Sequence, residues 1–302
     1  ELDPNEKNRI VFREITKQAI TEALEHPRKI DQELVNSQEA RRILDRIIGF
    51  KLSKLLQTKI KSKSAGRVQS VALKLIADLE KKIESFIPET YYEIDAQFPL
   101  FKASYHIPAK TRLSKEEADQ IVKTSTNPFH VSDIKTRQTK RKSKPAFITS
   151  TLQQDAINNL YMSASRTMMV AQKLYEGIEI NDETIGLITY MRTDSNRLAE
   201  PFIKETNEFI LNQYGKKYLG HYKVSTKDNA QDAHEAIRPT SIYRTPDMMS
   251  SYLDKDELKL YKRIYERTLA SLMSDAQFES TKVKITSNDN IYDLDGSILK
   301  FD

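Results

Sequence analysis

Residues 186–195 read Gly-Leu-Ile-Thr-Tyr-Met-Arg-Thr-Asp-Ser and place Tyr190 two residues before Arg192 in an apolar, β-branched run. Extended backbone alternates faces, so both side chains project the same way. A phenol beside a guanidinium can attack a phosphodiester. The tyrosine oxygen is the nucleophile, and the arginine forks onto the phosphate and offsets transition-state charge. On the dipeptide spacing alone, a core tyrosine beside a surface arginine at a strand end is the commoner meaning.

Two further groupings carry phosphate chemistry. Ser64-Ala65-Gly66-Arg67 precedes an apolar-periodic stretch. Small residues let backbone approach a phosphate, a helix N-terminus favours anions, and Arg67 can fork onto the oxygens. A plain helix start uses the same small residues. His234 and Arg238 are four apart and would share a helical face, ended by Pro239. A histidine there can pass a proton or stabilise charge, although a lone histidine near a helix end is more often structural.

The longer strings resemble the type IA DNA topoisomerases, the bacterial topoisomerase I branch in particular. Gly186–Ser195 is similar to the family's active-site segment, Ser64–Gln69 to its DNA-contacting segment, and Asp232-Ala233-His234-Glu235-Ala236-Ile237-Arg238-Pro239 to its histidine segment. Thr149–Ala156 and Ala171–Gly177 resemble it more weakly. The resemblance implies Tyr190, Arg192 and His234 as catalytic residues, gathered in one cleft. It implies DNA contacts at Arg41, Arg42, Asp45, Phe50, Gln57, Ser64, Ala65, Gly66, Arg67, Val68, Gln69, Arg192 and Arg238. Phe50 stands where tyrosine is common, and Gln57 where an aromatic is common, which puts base stacking at Gln57 in doubt.

The implied reaction is transient single-strand cleavage through a 5′-phosphotyrosine link, strand passage and religation, relaxing negative supercoils without ATP. A Toprim domain would supply a catalytic Glu, a Lys and Mg²⁺ ligands. No such acidic cluster is evident here, so the stretch is read as a core fragment, binding no metal itself and inactive in relaxation alone. Alternatives are a topoisomerase III-type decatenase and a non-catalytic DNA-binding protein. Met191 argues against the first, where Pro typically follows the tyrosine. A tyrosine recombinase places its tyrosine after the His-x-x-Arg element, whereas Tyr190 precedes His234.

Composition agrees. The chain has 302 residues, 38% hydrophobic and 30% charged, with net charge +5 and no cysteine. Disulfides and cysteine-ligated zinc are excluded within this segment. No apolar run approaches the ~20 residues of a membrane span, and the polar start shows no signal-peptide pattern. The expectation is a cytoplasmic monomer acting on DNA that is single-stranded at the cleavage site. Residues 46–77 hold eight Lys and Arg and no acid, and residues 135–154 hold six and no acid. Such clustering fits a polyanion partner, although lysine-rich strand edges also block aggregation.

These residues need elements to position them. Apolar spacing predicts a helix from Ile10 to Leu24, one opened by the capping box Asn36–Glu39 and ending near Gly49, and one after Gly66 running to Ile83. Alternation predicts strands at 91–98, 102–107 and 129–134, with a helix at 115–124. Helices follow at 151–160, 165–175 and 200–214, the last capped by Asp194 and Ser195 and closed by Gly215. Residues 225–232 read as a loop and 253–273 as a long amphipathic helix. Residues 281–301 alternate, with a hairpin turn at Asp295-Gly296. The fold class is α+β, mostly helical and multidomain, with a helical domain inserted into a small β-domain. The segments are 1–89 (helical, DNA-binding), 90–146 plus 277–302 (β) and 147–276 (helical, carrying Tyr190).

Overall fold

The computed structural model describes residues 6–12, 14–61, 64–109, 111–126, 128–220, 222 and 234–301. The loop expected at 225–232, and Asp232 and Ala233 of the histidine string, lie outside them. The order of elements is α1 (Lys17–Glu25), α2 (Gln32–Ile60), α3 (Arg67–Glu84), β1 (Asp95–Gln97), β2 (Lys102–Tyr105), α4 (Lys115–Thr124) and β3 (His130–Arg141). There follow α5 (Thr149–Asp155), α6 (Ala164–Glu176), β4 (Ile178–Ile180), β5 (Glu183–Ile185), α7 (Glu200–Gln213), α8 (Pro246–Met249), α9 (Lys255–Leu272), β6 (Ala276–Ser287) and β7 (Asn290–Phe301). A π-helical turn, Ala156–Leu160, extends α5.

The chain separates into two compact units. The first takes the described parts of residues 1–9, 27–94 and 107–125, and the second takes 10–26, 95–106 and 126–302. In the first, α2 begins earlier than the Asn36 capping box, because Asp31 accepts from the Leu34 amide and caps it. It runs past Gly49 to Ile60, about 43 Å at 1.5 Å per residue. The apolar stripes of α2 and α3 form as spaced, but neither helix buries a residue.

The second unit holds a five-stranded antiparallel sheet of order β1-β2-β7-β6-β3. Arg141 of β3 pairs with Ala276 of β6. Residues 142–275 therefore leave the sheet and rejoin it at neighbouring positions. The hairpin turn lies at Asn288-Asp289, not at Asp295-Gly296. Asn288 takes positive φ (51°), and Gly296 sits within β7 opposite Thr281. Asparagine tolerates that conformation. The first helix starts at Lys17, capped by Thr16, rather than near Ile10.

Between residues 146 and 273 a helical layer surrounds a core of Leu152, Leu174, Ile210, Leu260, Tyr261 and Ile264 among others. The Tyr261 hydroxyl donates to Arg244 O at 2.6 Å, which satisfies its buried polar end. Arg263 forks onto Asp155 at 2.7 and 2.9 Å and ties α9 to α5. Among the described residues no helix is long and apolar enough to cross a membrane.

Candidate active site

Residues 187–193 alternate in burial. Leu187, Thr189, Met191 and Thr193 point inward, and Tyr190, Arg192 and Asp194 point out; Ile188 is buried as well. The period-two reading thus holds, although no full strand forms. Strand-type pairing of the described residues here is a single bridge between Ile188 and Pro239. Extended geometry is imposed by threonines instead. Thr149, at the start of α5, accepts from the Thr193 amide (2.9 Å) and donates to Met191 O (2.8 Å), while its own amide donates to Thr193 O (3.0 Å). These bonds grip the backbone on both sides of Arg192.

Thr189 joins this segment to the histidine segment. Its hydroxyl donates to Ala236 O (2.7 Å) and accepts from the Arg238 amide (3.0 Å), and its own amide donates to Arg238 O (3.0 Å). Thr240 adds bonds to the carbonyls of Gly186 (2.8 Å) and Leu187 (3.0 Å). Gly186 itself is enclosed. A Cβ there would lie 2.7 Å from Tyr175 O and 3.0 Å from Ile15 O. The backbones carrying Tyr190 and His234 are therefore locked together, by bonds between residues 47 to 49 apart in sequence.

Tyr190 is 41% exposed, and its ring meets the edge of Tyr175 at 5.3 Å between centroids. Burial pushes the Tyr175 phenol up, with the neighbouring Tyr190 adding to it. Tyr175 thus remains a protonated wall against which the Tyr190 ring is set. Arg192 is exposed and His234 half-buried.

The helix expected to align His234 and Arg238 does not form. Residues 234–240 are extended, with Ile237 and Pro239 bridging to Phe147 and Ile188. Arg238 turns inward, only 5% exposed. Its guanidinium donates to Glu235 at 2.9 Å and Pro239 O at 3.0 Å, pairs with Glu14 at 3.1 Å and lies 4.3 Å over Phe202. A buried cation needs such partners. Its side chain is internal, held among these partners.

Asp194 and Ser195 do not cap α7. That helix starts at Glu200 after Ala199, with Pro201 in its first turn. Ser195 instead accepts from the Arg197 amide (3.2 Å), and Thr193 accepts from the Ser195 amide (3.1 Å). These short side-chain turns compete with helix and hold residues 193–197 out of it.

In the first unit, Gly66 caps α3 without a side-chain bond. Ser53 of α2 brackets the preceding residue, accepting from the Ala65 amide at 2.9 Å and donating to Ala65 O at 3.3 Å. Arg67 forks onto Asp45 at 2.7 and 3.2 Å, and Arg41 lies 3.8 Å from the same carboxylate. The Arg67 guanidinium, by hydrogen bonding first, holds the Asp45 carboxyl below the usual range. Arg42, Phe50, Gln57, Ser64, Val68 and Gln69 are exposed, and Arg46 approaches the Phe50 ring at 5.8 Å. Among the described residues no three acidic or histidine side chains are grouped to hold a metal ion.

A family model described as DNA topoisomerase matches residues 29–302, about nine-tenths of the chain. The chain belongs to the DNA topoisomerase family. A solved structure, full-length topoisomerase I from Thermotoga maritima, is 42% identical and superposes with a TM-score of 0.84. That match covers 99% of this chain and 49% of the Thermotoga chain, so the chain spans about half the length of that topoisomerase. Both findings place it with the bacterial type IA topoisomerases, and its mixed helix-and-strand fold is that of a type IA topoisomerase.

Sequence does not single out the threonines that shape the segment. Thr189 occupies an inward position of the apolar run, and Thr149 opens the string Thr149–Ala156. Their register is readable, but their bonds join residues 42 to 49 apart. Ser53 carries no signal beyond its place in a helix.

Proposed function

We propose that this chain carries the cleavage centre of a type IA topoisomerase, with Tyr190 as nucleophile toward one strand of DNA. The observation that carries the reading is the outward row Tyr190–Arg192 on a backbone clamped by Thr149 and Thr189 to the His234 segment. Tyr190 Oη attacks phosphorus, the Oη–P bond forms as the P–O3′ bond breaks, and the DNA stays joined through its 5′ phosphate. The phenol gives up its proton, and the 3′ oxygen takes one up. Arg192 holds the phosphate and offsets its developing charge. His234 lies in the adjoining segment to hydrogen-bond the phosphate or move a proton. Arg238 acts through the fold, anchoring residues 234–240, rather than on DNA.

The covalent link conserves the bond energy, so religation needs no ATP. Passage of the second strand between cleavage and religation relaxes negative supercoils in the intact protein. The exposed residues around Ser64–Gln69 bind the single strand, with Arg67 exchanging Asp45 for phosphate. The family resemblance implies Mg²⁺ in the intact protein, and no step above uses it.

The test is Tyr190→Phe in the full-length protein. Only a hydroxyl is removed, so single-stranded DNA should bind as before while the covalent protein–DNA complex disappears from a denaturing gel. Covalent complex persisting at wild-type yield would refute the assignment.

A further inference from the structure

The edge strand β3 is charged in a way that cleavage at Tyr190 does not use. From Lys135 to Lys144 it and the chain just beyond it hold Lys135, Arg137, Lys140, Arg141, Lys142 and Lys144, with no acid. β3 pairs with β6 alone, so its outer edge carries no strand among the described residues.

The acids of this sheet are already paired. Asp295 pairs with Lys282, Asp293 with His106, Glu279 with Lys300, and Asp133 with Lys135. Among the described residues Arg137, Lys140, Arg141, Lys142 and Lys144 have no acidic partner within ion-pair distance. The one acid of β3, Asp133, is taken up by Lys135, and beyond Lys135 the cations at the open edge are unneutralised. Arg141 lies 4.6 Å over the Phe278 ring, which fixes the guanidinium against the sheet and leaves its charge uncancelled. Along a strand, alternate residues repeat at about 6.7 Å, comparable with the phosphate repeat of an extended single strand. Arg137 and Arg141 fall on one face at multiples of that spacing, with Thr139 between them, and the exposed Lys140 projects from the opposite face of the same edge strand. At its end the strand meets a cleft of about 520 Å³, walled by Lys140, Lys142, Ser143, Ser274 and Asp275 among others.

We propose that the β3 edge is a second track for DNA, binding the phosphate backbone of a single strand outside the cleaved segment without reading bases. The proposal rests on the DNA substrate argued above, but uses different residues.

The experiment is a salt titration of the full-length protein on a long single-stranded DNA. In the triple variant Arg137→Gln, Lys140→Gln, Arg141→Gln, the slope of log affinity against log salt should fall by about 2, at about 0.7 for each phosphate no longer neutralised. The matched variant Lys255→Gln, Lys259→Gln, Lys262→Gln on α9 should keep the wild-type slope, as should Arg137→Lys with Arg141→Lys. Covalent cleavage of a short oligonucleotide should be unchanged in all of them, which separates this proposal from the Tyr190 assignment. An unchanged slope in the triple variant overturns the proposal. So does an equal fall in the α9 variant, since net charge alone would then explain it. Aggregation of the triple variant with its slope intact would assign these cations to edge protection and likewise overturn it.

Discussion

Replacing Thr189 by valine tests the lock between the two site segments. The swap nearly preserves volume and removes one hydroxyl, which donates to Ala236 O at 2.7 Å and accepts from the Arg238 amide at 3.0 Å. Thr189 is 1% exposed, Ala236 0% and Arg238 5%, so water cannot replace either bond without opening the core. Each orphaned backbone group costs about 1–3 kcal/mol. Two of them give about 2–6 kcal/mol, and a loss near 3 is expected after relaxation. Thr189→Ser keeps both bonds and loses one methyl, about 1 kcal/mol. Urea denaturation should separate the three proteins in that order. Hydrogen exchange at the Arg238 amide should speed up in the valine variant and stay slow in the serine variant. Covalent cleavage should follow the same ranking. A valine variant within about 0.5 kcal/mol of wild type, in a transition where one hydrogen bond is normally worth about 1, would refute the reasoning.

Gly186→Ala drives a methyl against two backbone carbonyls, at 2.7 and 3.0 Å; about 1–3 kcal/mol should be lost in thermal or urea unfolding, with covalent cleavage falling as Tyr190 shifts. Arg67→Ala should weaken single-stranded DNA binding and flatten its salt slope by about 0.7, read by fluorescence titration. Burial raises the Asp155 carboxyl, but Arg263 outweighs it and holds the group below the usual carboxylate range. A depressed carboxyl contributes stability above its unfolded value of about 3.9, lost as pH falls through the folded value. Stability of Asp155→Asn should therefore start lower at neutral pH and decline less on acidification, as followed by urea midpoints from pH 7 down to about pH 3.

Much of the architecture is readable because it is local. The 115–124 helix carries its own capping box, Ser114 with Glu117, and the alternation of 187–194 is periodic whether or not a partner strand exists. What misleads is local chemistry with two meanings. Asn36–Glu39 has capping form but lies inside α2, because Asp31 caps five residues earlier. Asp295-Gly296 suits a turn, yet the register with β6 puts it in mid-strand. His234 and Arg238 have helical spacing, but the long-range bonds to Phe147, Ile188 and Thr189 require extended backbone. The Tyr190–Arg192 row needs only period two. The inward turn of Arg238 depends on Glu14, Glu235 and Phe202, and no spacing rule could supply Glu14.

The pairing of Arg141 with Ala276 bears on how the protein is made. Strands β2 and β3 precede the helical segment, yet they pair with β7 and β6, which follow it in synthesis. At about 5–20 residues per second, roughly 7–27 s separate β3 from its partner. The segment between them has its own core and can fold meanwhile, so the sheet closes around an already built domain. Sheet closure then follows folding of the inserted domain, and a stalled or truncated chain ending before residue 276 would hold the outward tyrosine on a domain whose supporting sheet had not yet formed.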